Sequence, residues 1–142
     1  MKISKKKVIT LLRIGYWIGI VLDGLAFVQM AFPQIGLKML KAKVEAGNEY
    51  VFAINLAAGL MLAWTLLLFW ADRKPLERKI IILLTMIIIV WNICTLIFGI
   101  RVNLVPMETI LPQIVMASLL LIYYAFCIII SFRMEDEQDG GL

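Results

Sequence analysis

The sequence predicts an all-α integral membrane protein, a four-helix bundle with a short amphipathic helix in its first outer loop. Three observations predict it. Of 142 residues, 63% are apolar and only 17% are charged, whereas a soluble domain carries about 25% charged residues. The apolar residues collect into four long runs, each near the roughly 20 residues that a helix needs to cross a bilayer. The charges lie mostly between those runs, and mean hydropathy is +0.95. So few charges cannot cover a soluble core. Disordered, collagen-like and disulfide-scaffold classes fall on the same composition. The whole chain, 1–142, reads as a single transmembrane domain.

The first run spans 8–32 and follows Lys2, Lys5, Lys6 and Lys7. It is too long for a signal peptide and no small-residue cleavage site follows it, so it reads as a retained helix. Pro33 and Gly36 end it. Residues 36–46 then read as one short amphipathic helix. Leu37, Leu40 and Val44 share a face, Lys38, Lys41 and Glu45 are polar, and Gly47 and Asn48 end it. Such a helix lies in the membrane interface, forms a plain polar loop, or covers an outer pocket.

The second run spans 50–70, with Tyr50 and Trp70 at opposite ends as interfacial aromatics. Asp72, Arg73, Lys74 and Pro75 stop it. The third spans 80–100 and Arg101 closes it. The fourth spans 110–132. Pro112 is expected in its first turn, where the missing N–H costs little. Glu108 precedes it, favourably placed for the helix dipole. A frayed acidic tail, 133–142, is expected to follow.

Four spans place both termini and the second loop on one side. That side holds ten basic residues once Arg13 is counted, and the other holds Lys38, Lys41, Lys43 and Arg101. The positive-inside rule then predicts a cell-membrane protein with both termini cytoplasmic.

Polar residues inside the spans carry the functional signal. A central Asp costs about 2.5–3.5 kcal/mol on insertion scales, so Asp23 is expected to face the bundle interior. It serves there as an inter-helix hydrogen bond, a ligand or proton site, or a contact with another chain. Thr85, Asn92, Thr95 and Gly99 share a face of the third helix. Gln113, Ala117, Tyr124, Cys127 and Ser131 do so on the fourth, and Asn55, Ala58 and Gly59 on the second. These stripes are expected to face one another. Helix-packing glue is the plain alternative, above all for the hydroxyls. Asp23, Asn55, Asn92, Thr95 and Gln113 all lie at mid-span or in the outer half. The inner half has only Arg13, hydroxyls and the phenols of Tyr16, Tyr123 and Tyr124. That distribution fits an outward-facing pocket better than a continuous pore, which needs polar lining throughout.

Gly15 and Gly19 form a small-xxx-small pair, for packing within the chain or for a dimer seam. Arg13 is expected to snorkel to cytoplasmic headgroups. Cys94 and Cys127 form no C-x-x-C pair and are expected to stay unlinked, as small apolar residues.

Leu11-Leu12-Arg13, followed by a glycine-bearing first helix, resembles small bacterial and archaeal DoxX-like membrane proteins, which are four-span chains of similar length. The resemblance covers mainly the first helix and implies a four-helix bundle.

The leading functional expectation is binding or transport of a small amphiphilic or lipid-like molecule, with Asp23, Asn55, Asn92, Thr95, Gln113 and Tyr124 as ligand-binding residues. An accessory or scaffold subunit and a small proton-coupled exporter are the alternatives. The charge bias between the two sides speaks against a dual-topology exporter. The chain has no His and no recognisable catalytic set, so neither an enzyme nor a metal or cofactor site is expected. The expected partners are the lipid bilayer, such a molecule, and a second copy or another membrane protein. Nucleic acid is not among them.

Overall fold

The computed structural model describes residues 4–42 and 47–139, with 135–139 described by backbone alone. It is all-α, with α1 Lys5–Ala31, α2 Pro33–Leu40, α3 Asn48–Asp72, α4 Ile80–Arg101 and α5 Met107–Asp139. Four of these helices, α1, α3, α4 and α5 as far as Met134, are long and apolar enough to cross a membrane. The chain is a small multi-pass membrane protein by that criterion. α1 packs along α3, α4 packs along α5, and α1 touches α5. α3 and α4 barely meet, although one short loop joins them.

Three local expectations change. The short helix of the first outer loop starts at Pro33 rather than at 36, because proline fits the first helical position. It stops at Leu40, where Lys41 turns left-handed with φ 48° and its N–H caps Leu37 and Lys38. Val44 and Glu45 lie outside the described residues. Pro112 sits in the second turn of α5, since that helix begins at Met107. Its missing N–H therefore removes a bond to the Glu108 carbonyl. Finally, α5 stays helical to Asp139, where a frayed tail is expected from 133 onward. Residues 140–142 lie outside the described residues.

The core gathers at one end of the bundle, the end holding the start of α1, the 73–79 loop and the last turns of α5. We call it the terminal end, and the opposite end distal. Val8, Leu12 and Tyr16 of α1 meet Leu68 and Ala71 of α3 there. Ile81 and Ile82 of α4 join them, with Tyr124, Cys127, Ile128 and Met134 of α5. Lipid tails are as apolar as leucine, so close packing and hydrogen bonds hold such a core. The glycines of α1 allow the close packing. A Cβ on Gly15 would lie 3.2 Å from Tyr124 Cε1, and one on Gly19 would lie 2.8 Å from Tyr124 Oη. The pair thus makes room for α5 of the same chain. Cys127 is buried in this core, Cys94 is exposed on α4, and both are free.

Hydrogen bonds tie the helices at the same end. The Tyr123 hydroxyl donates to the Leu11 carbonyl at 2.9 Å, and that of Tyr124 to Gly15 at 3.0 Å. Tyr16 donates to the carbonyl of Arg78 at 2.9 Å. The Arg78 guanidinium lies 3.2 Å over the Trp70 ring and donates to the Trp70 carbonyl. Lys79 sits 3.8 Å over Phe132.

Candidate functional site

The distal half differs from the terminal half in one respect. No residue of α1 beyond Gly19, and none of α4 beyond Thr85, is buried. The packed line of α1 runs through Val8, Leu12, Gly15, Tyr16 and Gly19. Its next step of four is Asp23. The packed line of α4 runs through Ile81, Ile82 and Thr85, and two turns further along the same side is Asn92. On α5, Tyr124 is followed distally by half-buried Leu120, Ala117 and Gln113, then by buried Ile110. The lines of α1 and α4 face a core at the terminal end and lose their burial beyond it, while that of α5 is buried again at Ile110. The polar residues begin where the burial stops.

Asp23 is half-buried, and among the described residues it makes no hydrogen bond or ion pair. One turn before it, the hydroxyl of buried Tyr124 lies against Gly19. A Cβ on the neighbouring Gly24 would meet nothing within 4 Å. Asn92 is exposed and likewise makes no hydrogen bond among the described residues. Gln113 is half-buried. No hydrogen bond links any two of the six expected site residues among the described residues.

Two of the six point elsewhere. Asn55 is exposed and donates to its own helix, to the Val51 carbonyl at 2.9 Å. The packed line of α3 passes through Ala58, Leu68 and Ala71, which leaves Asn55 to one side. Thr95 is exposed, and its hydroxyl donates to the Trp91 carbonyl at 3.0 Å. It lines a shallow depression of about 260 Å³ with Trp91, Cys94 and Phe98. The expectation that all the stripes face one another therefore fails for α3 and for part of α4. Threonine and asparagine meet their needs on the preceding turn, so a mid-span position alone does not send them inward.

A cluster at the terminal end escapes sequence reasoning. Arg13, expected to reach for headgroups, lies 3.8 Å from Asp72, with side chains 55% and 18% exposed respectively. That distance is an ion pair without a hydrogen bond, and Asp72 Oδ1 is enclosed with no hydrogen-bond partner. Trp64 Nε1 is enclosed in the same way. Asp72 reads in sequence only as the residue that stops a span.

No family model, curated protein or solved structure matches this chain.

Proposed function

We propose that this protein sits in the cell membrane with cytoplasmic termini and binds or transports a small amphiphilic or lipid-like molecule in an outward-facing polar cleft around Asp23. One observation carries the reading. Asp23 continues the core line of α1, yet it is half-buried with no hydrogen bond or ion pair among the described residues. An acid in a span is stable there only with a partner or water. A ligand head group supplies the partner, with Tyr124 as floor and Asn92 and Gln113 as further polar groups. The apolar walls of the same cleft take the tail. The polar side chains that point away from the cleft, Asn55 and Thr95, favour a second reading, an accessory subunit that contacts another membrane protein.

Native mass spectrometry of protein extracted in mild detergent tests the first reading. A long-chain trimethylammonium surfactant is expected to be retained, and Asp23→Asn to weaken it about tenfold or more, the loss expected for one charged contact. The neutral glycoside of the same chain length should change little. Equal effects on both remove the charge anchor.

A further inference from the structure

The outward face of α1 carries a second feature, on the side opposite Asp23. Arg13, Ile14, Trp17, Ile18, Val21 and Leu22 line an open groove of about 610 Å³, with Thr10 at its terminal end. Thr10 also lines an adjoining groove of about 530 Å³, together with Ser4, Lys6 and Lys7. The two grooves share Thr10. Both are lined mainly by apolar atoms, and Lys6 and Lys7 belong to the lining of the second.

We propose that this composite groove holds one anionic phospholipid of the leaflet at the terminal end. Charge complementarity selects the head group. Lys6 and Lys7 line the groove nearer the helix start, half-exposed Arg13 lines the other, and no acid occurs on α1 before Asp23. Asp72 does not saturate Arg13, because their 3.8 Å separation leaves the guanidinium N–H groups free to donate to phosphate. Thr10 spends its proton on the Lys6 carbonyl at 3.0 Å, so the cationic side chains are the donors. Length selects the tail. From Thr10 to Leu22 the groove runs about 18 Å at 1.5 Å per residue, close to the roughly 15 Å depth of one leaflet. Trp17 forms a fixed wall, held edge-on to Phe69 of α3 with ring centroids 6.3 Å apart. Arg13 sits where a lipid phosphate can reach down to it, which explains a basic residue two turns inside a span.

The test is native mass spectrometry of the full chain released from nanodiscs of equal phosphatidylglycerol and phosphatidylcholine. Wild type is expected to retain one phosphatidylglycerol in several-fold preference. Lys6→Gln with Lys7→Gln should cut that preference, and adding Arg13→Gln should bring the two lipids to parity. Ile18→Trp fills the apolar trough without touching a charge and should abolish retention of phosphatidylglycerol. Glycerol phosphate, which has the charge but no chains, should not compete. The two lysines are exposed, so their variant folds even where the triple variant does not. Equal retention of both lipids by wild type, an unchanged preference in the lysine variant, or retention of phosphatidylglycerol by Ile18→Trp would overturn the proposal.

Discussion

At Gly19, α1 passes close to both α3 and α5. A Cβ there would stand 2.8 Å from Tyr124 Oη and 3.0 Å from Leu68 Cδ1. Both are ends of side chains, so an alanine displaces them rather than the backbone. The displaced hydroxyl is the one that donates to Gly15. Alanine also gains up to about 1 kcal/mol in helix propensity over glycine, so Gly19→Ala should be nearly balanced. A longer side chain has no such escape, and Gly19→Leu should cost about 1–3 kcal/mol by overpacking. Gly24 is the internal control. Nothing lies within 4 Å of its added Cβ, and Gly24→Ala should leave stability equal or higher. Thermal unfolding in detergent orders the variants. Destabilisation by Gly24→Ala as large as that by Gly19→Leu would show that the distal half of α1 is packed, not open.

The 73–79 loop is fastened more firmly than its charge count indicates. Arg78 stacks on Trp70 and donates to the Trp70 carbonyl, while its own carbonyl receives Tyr16. Tyr16→Phe should cost about 1 kcal/mol, the net worth of one hydrogen bond. Arg78→Ala should cost more and should open the loop to limited proteolysis. A loop equally resistant in both variants would mean that the helices alone position it. This contrast also shows where sequence reasoning stops. The spans were legible because their apolar runs match the bilayer and their ends carry charge, proline or aromatics. Tyr16, Arg78 and Trp70 come from three segments, and nothing in their spacing announces that they meet. The same holds for Arg13 and Asp72. Helical spacing did put Asp23 on the α1 line of Leu12 and Gly19, and Gln113 on the α5 line of Tyr124. It misplaced Asn55 because a polar side chain that bonds its own preceding turn no longer needs the interior.

The whole molecule is closed at one end and loosened at the other, and this asymmetry runs parallel to its charge. The terminal end has the packed core and the tyrosine hydrogen bonds, and among the described residues it holds nine basic residues against three at the distal end. Basic loops are retained on the cytoplasmic side, so the closed end should face the cytoplasm and the cleft around Asp23 the outside. Single cysteines at Lys41, Glu108 and Lys74, in a background with Cys94→Ala and Cys127→Ala, read this directly. Lys41 and Glu108 flank the distal ends of helices, and Lys74 lies in the terminal-end loop. A membrane-impermeant maleimide added to intact cells should label Lys41→Cys and Glu108→Cys. It should label Lys74→Cys only after the membrane is opened. The background substitutions should not disturb the fold, because Cys94 is exposed and Cys127 fills its site as a small apolar residue that alanine approximates. The reversed labelling pattern would turn the cleft toward the cytoplasm. Asp23 would then meet cytoplasmic amphiphiles, and the outward-facing pocket would have to be given up even if ligand retention still depended on its charge.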